Sequence, residues 1–497
     1  MPGDHQVVHE TASAAVAETH TAVITFVGDR AYKLKKPVDL GFLDFRSREA
    51  RALACAREVE LNRRLAPDVY LGVADVVGPG GELCDHLVVM RRMPAARRLA
   101  TLVRAGADVD DGLWHLAHLL AAFHARAERS EAADDAARAA SLRCRWADNT
   151  RGLLDHGRGV VDEAEVGRVD ELAAEYLAGR EPLFEQRIAD GRAVDGHGDL
   201  LADDIFLLDD GPRVLDCIEF DDRLRHDDTL ADVAFLAMDL EHLGRPDLGE
   251  RFLAAYREHA GDAWPASLAH HHVAYRAQVR AKVAAIRTGQ GDTAAAEDAR
   301  ALLGLCHRRL EAGRVRLVLV GGLPGTGKST LAAGLGEVLD ATVLRSDEVR
   351  KDLAGIDPRT PASAAYGEGL YRAGTTEGTY RAMLDRAAVA LGHGESVVLD
   401  ASWTRGRWRA RARELGATAH ATVAELRCEA PAEVAAGRIE QRRRAAADAS
   451  DATPAVAEAM RRDAEPWPES TAVLTTGAPA DTLAAARAVV LPVAPAP

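Results

Sequence analysis

Along the chain the arrangement of apolar and polar residues changes character twice. Near the N-terminus, Val23-Ile24-Thr25-Phe26 and Ala31-Tyr32-Lys33-Leu34 flank Val27-Gly28-Asp29-Arg30, which predicts a hairpin. A helical stretch follows from about Ser47 to Leu65 and is stopped by Pro67. Two further strand-like runs, Val73 to Val77 and His86 to Met90, are parted by Gly78-Pro79-Gly80-Gly81. From about 100 to 310 amphipathic helices dominate, with one short β segment at 194–220. Beyond Gly313 strands and helices alternate, the signature of a parallel α/β sheet, with strands expected at 315–320, 341–345, 396–400, 422–428 and near 471–475. These changes divide the chain into 1–95, 96–312 and 313–497.

Size and charge narrow the picture. The 497 residues are too many for one core. A formal net charge of −15 disfavours broad binding to nucleic acid or anionic lipid. Six cysteines, with no C-x-x-C pair, suit small apolar thiols in a reduced compartment. Neither a signal peptide nor a membrane-length apolar run is seen, so the expected location is the cytoplasm.

Gly322-Leu323-Pro324-Gly325-Thr326-Gly327-Lys328-Ser329 is a complete G-x-x-x-x-G-K-[ST] loop, preceded by a buried strand and followed by a helix opening at Thr330. Gly322, Gly325 and Gly327 let backbone N–H groups curl around a phosphate. Lys328 would reach the β/γ oxygens of ATP and Ser329 would ligate Mg²⁺. Thr326 and Thr330 complete the expected nucleotide contacts.

A second signature lies upstream. His197-Gly198-Asp199-Leu200 precedes Asp203-Asp204, a strand-like run Ile205 to Leu208, the turn Asp209 to Pro212, and a second expected strand from Arg213 to Phe220 carrying Asp216 and Glu219. This segment resembles the aminoglycoside phosphotransferase and sugar/choline kinase family, whose signature is H-G-D-x-x-x-x-N followed by a metal-binding aspartate. The resemblance covers roughly residues 15 to 290 and implies a bilobal, α+β protein-kinase-like fold. It makes Asp199 the base that takes the hydroxyl proton. Asp204 then stands where the family has a metal-binding Asn, which adds a negative charge but keeps a hard oxygen ligand. Asp216 matches the second metal ligand, with Glu219 a rival. Lys33 takes the place of the phosphate-pairing lysine and Glu58 that of its ion-pair partner, while Lys35 and Glu60 compete for the same roles. Lys33 and Lys35 share one strand face, so spacing does not choose between them.

In the third segment, Asp347 and Arg350 form a D-x-x-R turn after a strand, and Val397-Val398-Leu399-Asp400 ends in a carboxylate as a Walker B strand does. This part resembles the P-loop kinases related to polynucleotide kinase, gluconate kinase and zeta toxin. The resemblance implies Asp347 as base, Arg350 as the residue steadying the acceptor, and Asp400 as a holder of the Mg²⁺ water shell. Arg438, Arg442 and Arg443 resemble the arginine lid over the triphosphate. A solvated basic helix face explains those arginines equally well, and a helix-capping aspartate is the plain alternative for Asp347.

The chain therefore resembles a bifunctional ATP- and Mg²⁺-dependent kinase that phosphorylates hydroxyls of small polar molecules such as sugars or aminosugars. Three alternatives stand beside it: a P-loop unit that only senses nucleotide, a P-loop unit that phosphorylates 5′-hydroxyl ends of nucleic acid, and a front unit reduced to a scaffold by Asp204. His124, His270-His271-His272 and the Arg276/Arg280 pair are expected to be structural.

Overall fold

The computed structural model describes residues 9–11, 14–18, 21–39, 44–357, 360, 372–445 and 453–491. Two compact units are present. The first holds the described residues up to Ala174, with Phe184–Trp264 and Ala269–Ala312. The second holds Glu175–Leu183, Pro265–Leu268 and the described residues from Gly313 onward. No helix among the described residues is long and apolar enough to cross a membrane.

The first unit opens with β1 (His9–Thr11), β2 (Ala14–Glu18), β3 (Ala22–Val27), β4 (Arg30–Lys35), β5 (Tyr70–Val77) and β6 (Leu83–Arg91). They form one antiparallel sheet in the order β1-β2-β3-β4-β6-β5, with the expected hairpin as β3 and β4. Helix α1 (Arg48–Asn62) starts where Ser47 caps it, its hydroxyl accepting from the Ala50 N–H. Cys55 and Val59 of α1 pack with Ala31, Val88 and Met90 of the sheet. This sheet-and-helix lobe is followed by helices α2 (Leu99–Arg104), α3 (Asp110–Arg126), α4 (Glu131–Ala137), α5 (Ala139–His156), α6 (Glu163–Gly179) and α7 (Glu181–Ala189). Short strands then appear: β7 (Ala193–Asp195), the hairpin β8 (Ile205–Leu208) and β9 (Gly211–Val214), and β10 (His226–Asp228), which pairs with β7. Helices α8 (Thr229–His242), α9 (Pro246–Ala260), α10 (Ala266–Gly289) and α11 (Ala295–Ala312) complete the helical part. The order is that of a bilobal kinase-like fold.

One expectation fails here. The strand expected from Arg213 to Phe220 stops at Val214. Asp216 adopts φ +63, in the left-handed region that a strand cannot contain. Its N–H goes to the Tyr70 phenol at 3.2 Å, and the Cys217 N–H goes to Asn62 Oδ1 at 2.9 Å. Groups on β5 and α1 thus claim the donors that a longer hairpin would need.

The second unit is a P-loop α/β fold. Its elements are β11 (Arg316–Gly321), α12 (Lys328–Leu339), β12 (Thr342–Arg345), α13 (Ser346–Leu353), α14 (Ala373–Gly392), β13 (Val397–Asp400), α15 (Gly406–Thr418), β14 (Thr422–Glu429), α16 (Ala432–Ala445), α17 (Pro454–Asp463), β15 (Thr471–Leu474) and α18 (Pro479–Val490). The five strands are all parallel, in the order β12-β13-β11-β14-β15. Every residue of the central β11 is buried, which is why Leu317 to Val320 read as an unbroken apolar run. Val318, Val320, Leu331, Leu335, Val398 and Leu426 form the core beneath the phosphate loop.

Candidate active sites

In the first unit the His-Gly-Asp segment is held by a single carboxylate. Asp232, in the first turn of α8, accepts the backbone N–H groups of His197 and Gly198, each at 2.8 Å. His124 Nε2 lies 3.0 Å from the same carboxylate, and its Nδ1 lies 2.7 Å from the Tyr256 hydroxyl. Burial works against the charge of Asp232, but the His124 hydrogen bond and charge, His197 and the backbone donors hold its pKa well below the usual carboxylate range. Asp199 is buried, and its Oδ1 accepts no hydrogen bond. A buried acceptor left open in a braced loop is suited to a proton that arrives with a ligand.

The two strand lysines converge on one glutamate. Lys33 Nζ is 3.0 Å from Glu58 Oε1 and 2.8 Å from Asp216 Oδ1. Lys35 Nζ is 2.7 Å from Glu58 Oε2 and 2.5 Å from Glu219 Oε1. Burial lowers both lysines, yet Asp216, Glu58 and Glu219 outweigh it and keep Lys33 well above its ordinary value. Glu58 is fully buried, and burial is overcome by the two lysines, which hold it below the usual range. Lys33 keeps some exposure, whereas Lys35 is closed in beside Phe45. Glu60 is turned outward, beside Arg57.

Asp204 has the opposite environment. Burial, then the charges of Asp216, Asp199 and Asp203, push its pKa well above the carboxylate range. Such a cluster is short of a cation. Among the described residues, no three His, Cys, Asp or Glu side chains are gathered closely enough to hold a metal ion by themselves. Of the two rivals for the second ligand position, Glu219 faces the buried Lys35 and Asp216 faces the more exposed Lys33. Mg²⁺ on a nucleotide takes one or two carboxylates and completes its shell with phosphate and water, and Asp204 with Asp216 fits that requirement.

In the second unit the carboxyl ends of β11, β12 and β13 lie side by side: Val320 is opposite Asp400, and Arg345 is opposite Asp400 on the other flank. The phosphate loop crosses this edge. Gly327, at φ +83, is the N-cap of α12, so Lys328, Ser329 and Thr330 form its first turn with free N–H groups. Gly325 takes φ +82 beside α16, where an added Cβ would stand 2.3 Å from the Ala435 carbonyl oxygen. A Cβ on Gly322 would stand 2.5 Å from the Thr326 hydroxyl. Thr326 donates that hydroxyl to the Leu323 carbonyl, and Thr475 donates its own to the Thr326 carbonyl at 2.7 Å.

Asp400 is buried, with Oδ1 lacking a hydrogen bond and Oδ2 3.4 Å from Arg345 Nε. Together with Ser329 it suits the water shell of a phosphate-bound Mg²⁺. Asp347 lies in the first turn of α13 and accepts from Arg350 Nη1 at 2.6 Å; the N-cap is Arg345, which makes no side-chain cap. Arg438 donates to the Thr475 carbonyl at 2.6 Å and lies 3.5 Å from where a Cβ of Gly327 would be. The side chains of Arg442 and Arg443 lie outside the described residues.

The set-aside residues are packed. His271 and His272 are buried against Phe184, and Arg276 meets Asp227 and the Ala231 carbonyl. Tyr70, Asn62 and Thr475 carry no motif. Only Thr475, at the end of an expected strand, had a signal in its position at the sheet's carboxyl edge.

Comparison with known proteins extends this description. Residues 317–467 match the AAA domain family. The chain is 45% identical over 462 residues to an uncharacterized protein of Mycobacterium tuberculosis, covering 93% of this chain and 92% of that one. An uncharacterized protein of Mycobacterium bovis matches with the same identity and coverage. Among solved structures, a choline/ethanolamine kinase family protein from Mesorhizobium loti is 16% identical, covering 61% of this chain and 89% of its own, with a TM-score of 0.37. A gluconokinase from Sinorhizobium meliloti is 18% identical, covering 36% and 91%, with a TM-score of 0.26.

Proposed function

Because the chain belongs to the same family as the two mycobacterial proteins, which it matches over nearly their whole length, we propose that this family comprises two-site, ATP-dependent phosphotransferases acting on hydroxyls of small polar molecules. The observation that carries the reading is the open Oδ1 of Asp199 in a loop that Asp232 holds rigid. In the first unit Asp199 takes the proton of the acceptor hydroxyl while Lys33, positioned by Glu58, binds nucleotide phosphate. Lys35 and Glu219 form the buried support of that pair. In the second unit the loop from Gly322 to Ser329 holds the phosphates with Lys328, and Asp347 takes the acceptor proton, oriented by Arg350. Arg438 lies beside the loop, ready to contact the triphosphate. Mg²⁺, held by Asp204 and Asp216 in one unit and by Ser329 and Asp400 in the other, would supply charge neutralisation of the phosphates.

In each unit the acceptor oxygen bonds to the γ-phosphorus, the bond to the β–γ bridging oxygen breaks, and ADP leaves. Positioning and electrostatics supply most of the rate in such transfers, which accords with sites built from braced charges. ATP consumption by the Asp199→Asn, Lys328→Ala and double variants, over a panel of free sugars and aminosugars, tests the reading. Each single variant should lose one acceptor class and the double variant all turnover. Undiminished consumption by Asp199→Asn in the Lys328→Ala background would remove the first unit from the catalysts.

A further inference from the structure

In the first unit, the turn that carries Asp216 is tied down from two sides. On the catalytic side, the Leu215 N–H donates to the Asp204 carbonyl at 3.0 Å. His197 Nε2 lies 3.2 Å from the Leu215 carbonyl, and the Ile218 N–H points to the His197 carbonyl at 3.4 Å. On the other side, Tyr70, at the start of β5, accepts the Asp216 N–H at 3.2 Å. Asn62, at the end of α1, accepts the Cys217 N–H at 2.9 Å. Both acceptors are buried, and the Asn62 amide also donates to the Glu58 carbonyl at 2.9 Å. One stretch from Glu58 to Tyr70 thus supplies the carboxylate that holds Lys33 and the two side chains that hold the Asp216 turn.

The turn needs holding. At φ +63 Asp216 is left-handed, a region in which Cβ crowds the following carbonyl oxygen. Aspartate tolerates that crowding better than most residues, but no strand ladder supports it here, since β9 ends at Val214. The buried Cys217 N–H would be an orphan donor without Asn62. What the conformation achieves is visible in the side chain. Asp216 Oδ1 meets Lys33 Nζ at 2.8 Å while nearly half of the carboxylate side chain stays exposed. Its backbone neighbour is hydrogen-bonded to Asp204, the other carboxylate that suits Mg²⁺.

We propose that Tyr70 and Asn62 are positioning residues of the first unit. They hold the left-handed turn so that Asp216 is presented to Mg²⁺ in fixed relation to Lys33 and Asp204 before nucleotide arrives. Neither touches the reacting atoms; both act through the backbone of the ligand-bearing turn. Removing groups that fix the geometry of a metal ligand typically weakens metal binding by about 10- to 100-fold. The inference rests on reading Asp216 as a metal ligand of a phosphotransferase site.

The test uses the full chain carrying Lys328→Ala, which silences the nucleotide site of the second unit. Mn²⁺, an oxygen-seeking stand-in for Mg²⁺, is the probe, followed by electron paramagnetic resonance with a non-hydrolysable ATP analogue present. Tyr70→Phe removes the acceptor and keeps the ring. It should weaken Mn²⁺ binding by about tenfold and raise the Mg²⁺ concentration for half-maximal ATP consumption by a similar factor. Saturating Mn²⁺ should restore the rate, and the melting temperature of the metal-free protein should stay within a few degrees of the parent. Asn62→Ala should shift Mn²⁺ affinity in the same direction. A merely structural role would lower the melting temperature and leave Mn²⁺ affinity of the folded protein unchanged. Parent-like Mn²⁺ affinity in both variants, or a lost rate that saturating Mn²⁺ does not restore, would overturn the assignment. Parent-like Mn²⁺ binding by Asp216→Asn would instead remove the metal-ligand reading on which it rests.

Discussion

The carboxylate of Asp232 receives the backbone N–H of His197 at 2.8 Å across 35 residues of sequence. Together with the Gly198 N–H and His124, this makes one side chain the fixture of the loop that carries Asp199. Asp232→Ala would leave two backbone donors and a histidine buried without their acceptor. The expected cost is about 3 kcal/mol, read from urea unfolding. Because Asp232 titrates below its unfolded value, its contribution is complete above about pH 4 and is lost as pH falls through the folded pKa. The variant should therefore be less stable than the parent at neutral pH, and the gap should close towards strong acid.

Asp204 should behave in the reverse sense. Its folded pKa is raised, so its charged form costs stability that appears as pH rises above the unfolded value. Asp204→Asn should stabilise the Mg²⁺-free protein at neutral pH by about 1 kcal/mol. A thermal melt with and without Mg²⁺ and ATP checks this, since metal binding should erase the advantage. Calorimetry in buffers of different ionisation enthalpy should also show proton release on Mg²⁺-ATP binding to the parent that is diminished in the variant.

The shared glutamate separates the two lysines by consequence. Lys33→Met should lower kcat of the first unit by roughly 10²-fold or more at a smaller stability cost than Lys35→Met, because Lys33 keeps some exposure and faces Asp216 at the proposed phosphate site. Lys35→Met should cost about 3 kcal/mol, because it leaves Glu58 and Glu219 with a missing buried partner. Steady-state kinetics with parallel unfolding curves distinguish the two. The opposite assignment would exchange the phosphate-binding lysine.

Gly325→Ala places a methyl group where the Ala435 carbonyl already lies, at a φ that alanine avoids. Nucleotide binding to the second unit should fall by at least tenfold, measured by titration with a fluorescent ATP analogue. Activity of the first unit should be unchanged.

These sites were unequally legible in the sequence. The five parallel strands of the second unit form where the sequence predicts, and the fully buried β11 and β13 do so without alternation because both their faces are covered. The phosphate loop was legible because its glycines and lysine are neighbours in sequence. The turn at Asp216 was not. Its left-handed backbone answers to Tyr70 and Asn62, which lie 146 and 155 residues from their partners. The period of two placed Lys33 and Lys35 on one face but said nothing about Glu219 closing over the second.

Equilibrium dialysis of the full chain with Mg²⁺ and radiolabelled ATP analogue addresses the central claim most directly. The account predicts two nucleotides per chain, falling to one in Lys328→Ala and to one in Lys33→Met. A single nucleotide per parent chain at saturation would contradict it.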